Sequence, residues 1–290
     1  MESRLCNLCD APGQIDNAPE VKKVRSNVRQ FQREEFTVWR CRTCGSLHCL
    51  EDIDYATYYH NYPLQNQKPD FFTLKLFSSR LRQLIGGGLL TSHSILDYGC
   101  GNGGFVRFLR AQGYSLAEGY DPYSETFSDR AVLTQTYDFV ISQDVLEHAP
   151  DTLAFLDELL SLVRAGGGMA AIGTPDAAKI SLNDAIDAVG QLHQPHHRHI
   201  LTRSQLEKLI EARGFNITKV LRRWYVDTWI PFLNSSFFFH YVAATGCAVD
   251  SMFEPIRYRT IFSSPQLLLY GLFGRLRNPH KDVLVFAQAK

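Results

Sequence analysis

The chain carries no excess of either charge: Lys+Arg and Asp+Glu each number 30 among 290 residues. A balanced surface advertises neither nucleic acid nor an anionic membrane as an obligate partner. No apolar run is long enough to span a bilayer, and Met1-Glu2-Ser3-Arg4-Leu5-Cys6 lacks the apolar core of a secretory leader. Internal repeats and low-complexity tracts are missing too. The cysteines are Cys6, Cys9, Cys41, Cys44, Cys49, Cys100 and Cys247. An odd number, without a leader, speaks against a disulfide framework. These absences lead us to expect a soluble, cytoplasmic protein. Its 45% hydrophobic share suffices for one large domain with an appendage, or for two domains.

Four cysteines fall into two pairs, Cys6-x-x-Cys9 and Cys41-x-x-Cys44-Gly45. Each such turn aims two sulfurs at one point, and two knuckles complete a tetrahedral thiolate site for zinc. The metal would be structural, because four thiolates leave no open coordination position. It would also supply stability that residues 1–50, short of apolar side chains, lack by themselves. Neither pair sits at the strand-to-helix turn of a thioredoxin-like redox site. Between residues 20 and 42, Lys22, Lys23, Arg25, Arg29, Arg33, Arg40 and Arg42 alternate with Val24, Val28, Phe31, Phe36, Val38 and Trp39. That pattern suits short ribbon strands. Residues 1–50 are therefore expected to form a zinc-ribbon-like unit.

Tyr55, Tyr58, Tyr59 and Tyr62 mark a polar, aromatic linker ended by Pro63 and Pro69. Phe71–Ile85 has helical apolar spacing and stops at Gly86-Gly87-Gly88. Strand and helix signals then alternate. Strands are expected at 94–98, 117–120, 137–142, 168–173, 215–222 and 283–288, and helices at 105–112, 152–163 and 202–213. This is the pattern of an α/β, doubly wound, mostly parallel sheet. An aromatic-rich insertion, 224–280, separates the last two strands.

Ile95-Leu96-Asp97-Tyr98-Gly99-Cys100-Gly101-Asn102-Gly103-Gly104 runs from an apolar strand through glycines into a helix. Glycine lets the backbone turn sharply and approach a ligand, and the helix start points N–H groups at it. The next strand ends at Gly119-Tyr120-Asp121, where a carboxylate can accept from both ribose hydroxyls. The G-x-G-x-x-G spacing of nicotinamide sites is not met cleanly. Asp97 followed by Gly99-x-Gly101-x-Gly103 resembles the first motif of class I S-adenosylmethionine-dependent methyltransferases. Tyr137–His148 resembles that family's fourth strand and turn, Leu162–Gly168 its turn before the fifth strand, and Gly173-Thr174-Pro175 that strand's end.

The resemblance implies a Rossmann-like fold and S-adenosylmethionine as cofactor. It places Asp97, Gly99, Cys100, Gly101 and Gly103 around the methionine portion, and Asp121 and Pro122 at the ribose. Gln143, Asp144 and Val145 would lie beside the methyl group and adenine, and Tyr59 joins the cofactor-binding set. Residues 94–290 would then be the methyltransferase domain and 51–93 a linker with an N-terminal helix. The interval from Asp121 to Asp138 is shorter than the family's usual helix and strand. Either Ala131–Leu133 is a vestigial strand or one sheet edge is trimmed; Asp129 is the candidate acid for the adenine amino group. The zinc-bearing N-terminus followed by Tyr58-Tyr59 is similar to small-molecule methyltransferases of biosynthetic clusters, some acting on nucleotide-linked sugars. A zinc ribbon also precedes the catalytic domain of some ribosomal-RNA methyltransferases.

A protonated acceptor needs a general base near the methyl group. His148 qualifies, as do His196 and His199 in the run His193-Gln194-Pro195-His196-His197-Arg198-His199. Asp144-x-x-Glu147-His148 also resembles a Glu-x-x-Glu-His metal motif of 2′-O- and quinone-precursor methyltransferases, with Asp in the first place. Arg198 is the candidate anion contact, and Tyr225 and Asp227 are candidate substrate contacts in an apolar wall. The insertion reads as a substrate cap or a homodimer surface. Its stretch Pro265–Leu276 lacks a strong basic face, which argues against a membrane-surface role. The expected reaction is methyl transfer to a small molecule, O-directed, on a sugar or secondary metabolite. RNA methylation and a non-catalytic cofactor-binding zinc scaffold are the rival readings.

Overall fold

The computed structural model describes residues 3–10, 13–60, 69–277 and 280–290, so Tyr62 and Pro63 of the linker lie outside the described residues. In chain order the strands are β1 (Val21–Arg25), β2 (Glu35–Arg40), β3 (Leu47–Cys49), β4 (Ile95–Tyr98) and β5 (Ala117–Tyr120). They continue with β6 (Phe139–Gln143), β7 (Met169–Pro175), β8 (His199–Ile200), β9 (Phe215–Leu221) and β10 (Asp282–Ala289). Two sheets result, ordered β1-β2-β3-β8 and β5-β4-β6-β7-β10-β9. The chain divides into two units: 67–174 with 203–225 and 282–290, and 1–66 with 175–202 and 226–281.

The six-stranded unit has the expected α/β, mostly parallel sheet. Strands β5, β4, β6 and β7 run parallel, and β9 pairs antiparallel to β10. Parallel strands are covered on both faces, which is why β4 is buried at every residue. The Phe71–Ile85 helix, capped by Asp70 accepting from Thr73 N at 2.8 Å, lays Phe77, Leu81 and Leu84 on the core. The Gly104–Ala111 helix adds Phe105, Val106 and Leu109 to Ile95, Phe139, Ile141 and Phe286. Beyond β5 the sheet stops: residues 130–134 form a 3-10 turn and no strand, so the sheet edge is trimmed at β5.

The four-stranded unit draws on three stretches of chain. β1, β2 and β3 make the ribbon expected from residues 20–42, and β8 adds a fourth strand through Leu47–Ile200 and His48–His199 pairing. A fifty-residue ribbon has too little apolar matter to close its own core. Val24, Val38 and Leu47 are therefore completed by Ala177, Ile180, Leu182, Leu192 and Ile200. Arg40 fastens the two stretches, pairing with Glu20 and donating to the carbonyls of Gly45, Ala177 and Ile180. The helices Ser235–Ala244, Tyr258–Phe262 and Pro265–Phe273 pack through Phe237, Tyr241, Ile261 and Leu267. The expected boundary at residue 50 is thus crossed: 175–202 and most of the insertion share a unit with the N-terminus.

Candidate functional site

In the six-stranded unit, polar chemistry collects past the carboxyl ends of β4, β5 and β6, where open parallel sheets accept ligands. The chain leaves β4 through Gly99, whose φ is +83°; a Cβ there would lie 2.3 Å from Val145 Cγ2. Glycine lets Val145 close down on the loop. Gly101, with φ +56°, differs: a Cβ there meets nothing within 4 Å, so this backbone borders open space. Gly103 caps the following helix. The Cys100 thiol turns toward Gly119 and the core, and burial raises its pKa.

Asp97 is 1% exposed, and its Oδ1 accepts from Arg80 Nη2 at 2.8 Å. Arg80 reaches over from the Phe71–Ile85 helix, its guanidinium 4.0 Å from the Phe105 ring centroid. Asp97 Oδ2 and Arg80 Nε are buried without a hydrogen-bond partner among the described residues. Burial pushes the Asp97 carboxyl up, and the Arg80 charge opposes that. Asp121, after β5, accepts from Gly101 N and Tyr123 N, each at 2.9 Å, tying the strand end to the glycine loop. Pro122 beside it is exposed.

Asp144, the first residue past β6, has a left-handed conformation, φ 56°, uncommon for a non-glycine residue and typical of functional positions. Gln143 Nε2 donates to its Oδ1 at 2.8 Å, and Trp224 Nε1 to its Oδ2 at 3.1 Å. Burial raises its pKa. Glu147 is fully buried and accepts from Thr174 Oγ1 at 2.8 Å; burial, then the Asp144 charge, holds its carboxyl well above the usual range. The two acids of the Asp-x-x-Glu-His run thus turn to different partners. His148 ends the short 146–148 turn, half-buried. Tyr225 is half-buried in this unit, its hydroxyl pKa raised by burial and then by the charge of Asp144. Asp129 caps the 130–134 turn, accepting from Ala131 N at 2.9 Å. Arg80, Trp224 and Thr174 were missed in the sequence; a lone helical arginine or an isolated tryptophan carries no spacing code.

In the four-stranded unit the two Cys-x-x-Cys turns converge. Sγ–Sγ distances are 3.7 Å for Cys6–Cys44, 3.8 Å for Cys6–Cys9 and 3.9 Å for Cys9–Cys41, and all four sulfurs lie within 4.8 Å of one another. A tetrahedron with metal–sulfur bonds of about 2.3 Å has edges of about 3.8 Å. The cluster therefore has the dimensions of a four-thiolate zinc site. Leu8 N donates to Cys6 Sγ at 3.4 Å, as suits a sulfur that carries negative charge.

The histidine-rich run belongs to this same unit. His196 Nε2 donates to the Tyr58 carbonyl at 3.1 Å, while its ring stacks on His193 and meets Tyr59 edge-on. His197 Nδ1 donates to the Gln191 carbonyl at 2.5 Å. His48 and His199 share a hydrogen bond between their Nδ1 atoms at 2.9 Å, one donating and one accepting. Arg198 donates to the Glu51 carbonyl, and Asp227 accepts from Ser235 N and Oγ at 2.9 and 2.8 Å. The candidate bases His196 and His199 and the candidate contacts Arg198 and Asp227 are thus each bonded within the four-stranded unit, where Tyr59 packs on His196. Two of these imidazoles satisfy buried backbone carbonyls, His196 that of Tyr58 and His197 that of Gln191.

These buried rings predict acid lability. Burial pushes His196 down to about 4 and His197 to about 3. A histidine whose folded pKa is depressed stabilises the fold above its unfolded value of about 6.5, and that stability is lost as pH falls toward the folded value. Each should cost about 1.4 kcal/mol per pH unit across that window. Melting curves between about pH 7 and pH 5 should fall steeply; a flat profile would show these rings are not buried and neutral.

A family profile described as a methyltransferase domain matches residues 68–220. Comparison with curated proteins gives no match. Among solved structures, the chain is similar to magnesium protoporphyrin IX methyltransferase from Synechocystis PCC 6803, with 19% identity over 57% of this chain and 90% of that one, TM-score 0.41. It is also similar to an S-adenosylmethionine-dependent methyltransferase from Mesorhizobium loti, with 16% identity over 72% and 97% of the two chains, TM-score 0.43.

Proposed function

The chain belongs to the methyltransferase-domain family, and from that premise we propose that it transfers a methyl group from S-adenosylmethionine to an oxygen of a small molecule. The observation that carries the cofactor assignment is the join of three elements: buried Asp97 with an unpartnered Oδ2, Gly101 bordering open space, and Asp121 bound to the loop. A buried, unpartnered carboxylate oxygen calls for a donor, and a cationic ammonium suits it. Asp97 with the glycine loop would hold the methionine portion, Asp121 the ribose, and Asp144 with Gln143 and Val145 the far side. The cofactor, when bound, supplies an electrophilic methyl on sulfur.

His148 is assigned as the base that takes the acceptor's proton. Of the three candidate histidines it alone lies in the unit that holds the glycine loop, on the turn after β6. The four cysteines are assigned a structural zinc. A small acceptor is favoured over RNA because the ribbon's basic side chains are largely engaged within their own unit. Lys22 bonds Asn183, Arg25 pairs with Glu35, Arg29 with Glu254, Arg40 with Glu20, and Arg42 donates to the Asn17 carbonyl.

Calorimetric titration with S-adenosylhomocysteine tests the reading. Wild type should bind, and Asp121→Ala should bind roughly ten- to a hundredfold more weakly, as expected when a charged acceptor of about 1.5–3 kcal/mol is removed. No heat of binding by the intact chain would overturn the cofactor assignment. Binding without turnover on any acceptor would leave the scaffold reading standing.

A further inference from the structure

Residues 226–281 lie in the unit that does not hold the glycine loop, and they present an exposed apolar surface. The Pro265–Phe273 helix carries apolar side chains on both its inner and outer faces, with Gln266 as its one amide. Leu267 and Gly271 face inward, and a Cβ on Gly271 would lie 2.3 Å from the Phe232 ring. On the outer side Leu269, Leu272, Phe273 and Leu276 fall at i, i+3, i+4 and i+7, one stripe, with Leu272 54%, Phe273 51% and Leu276 71% exposed. The Tyr258–Phe262 helix packs beside it and leaves Phe262 68% exposed. Trp229, 76% exposed, lies under the Arg275 guanidinium at 4.1 Å. Contiguous exposed apolar faces mark interaction sites. A helix apolar on both sides is at home in a core or in lipid, and nine residues are too few to cross a bilayer.

Charge decides between occupants. Residues 255–281 contain Arg257, Arg259, Arg275, Arg277 and Lys281, and not one Asp or Glu. Lys281 is held by Asp184 and Asp187, and Arg257 is shared with Glu254. Arg259 and Arg277 are exposed and join no ion pair among the described residues. The Pro265–Leu276 segment alone shows one cation, Arg275; Arg259 on the Tyr258–Phe262 helix and Arg277 just past the segment add the basic side chains that it lacks by itself. A second copy docking here symmetrically would set arginines near arginines with no acid in the stretch to meet them. Anionic headgroups meet both features at once.

We propose that this face seats the protein on the surface of an anionic lipid bilayer, with Leu272, Phe273, Leu276 and Trp229 entering the headgroup layer and Arg259 and Arg277 meeting phosphates. The test is co-sedimentation of the full chain with phosphatidylcholine–phosphatidylglycerol vesicles, against phosphatidylcholine alone. Binding should require the anionic lipid, weaken with salt, and shift the emission of Trp229, the exposed one of three tryptophans. Phe273→Ser with Leu276→Ser, both solvent-facing, should lower partitioning roughly tenfold or more with an unchanged melting temperature. Arg259→Glu with Arg277→Glu should remove the preference for anionic vesicles. Failure to sediment at low salt overturns the proposal. So does binding that survives both double variants, or a dimer in solution that the Phe273/Leu276 variant abolishes.

Discussion

Replacing Cys41 by serine, or stripping the cysteine cluster with a chelator, is expected to melt the four-stranded unit. Metal binding to such sites is worth about 10–16 kcal/mol in small zinc domains, comparable to the whole stability of an ordinary fold. The ribbon does have apolar support from Ala177, Ile180, Leu182, Leu192 and Ile200, so the loss here is a fraction of that figure. It should still exceed every other substitution discussed. Purified protein should release one zinc per chain to a chromogenic chelator after thiol modification, and chelation should lower the melting temperature in step. Protein that holds no metal, or melts identically with and without chelator, would refute the assignment.

The second large effect is expected at Arg80. Replacing it with methionine leaves Asp97 buried without its counter-ion, a loss of about 3–5 kcal/mol in comparable pairs. Pairing it with Asp97→Leu should recover most of the stability, since two apolar groups of matching volume are close to neutral there. The single variant carries a pH signature. Without Arg80 the Asp97 carboxyl, already pushed up by burial, rises further above its unfolded value of about 3.9. A raised folded pKa means stability that is lost as pH climbs through it, so the deficit should shrink toward pH 4. A deficit independent of pH would place the cost in lost packing over Phe105 instead.

These two sites differ in how far the sequence discloses them. The cysteines, the glycine loop and Asp121 are legible because each acts through neighbours in the chain or at a fixed spacing from a strand end. The alternation of elements likewise disclosed the parallel sheet, and the short interval before Asp138 foreshadowed the trimmed edge. Arg80 with Asp97, and Trp224 with Asp144, are contacts made by folding alone. The histidine run shows why residue type alone does not assign a base: the side chain that can take a proton also satisfies buried carbonyls, as His196 does for Tyr58. Asp227 is a similar case, a polar point in an aromatic stretch that is spent on the start of a helix.

The three-part composition of the four-stranded unit has a consequence for biosynthesis. The chain passes between units after residues 66, 174, 202, 225 and 281. Cys6, Cys9, Cys41 and Cys44 emerge early, but Ala177, Ile180 and Ile200, which close the core over the ribbon, and Lys281, which holds buried Asp187, emerge far later. At ordinary elongation rates of about 5–20 residues per second, the ribbon waits roughly 8–30 s for Ile200 to emerge. Early metal capture is what would keep the nascent knuckles from oxidising or aggregating in that interval. For the same reason neither unit is an uninterrupted stretch of chain, and no single cut can separate them.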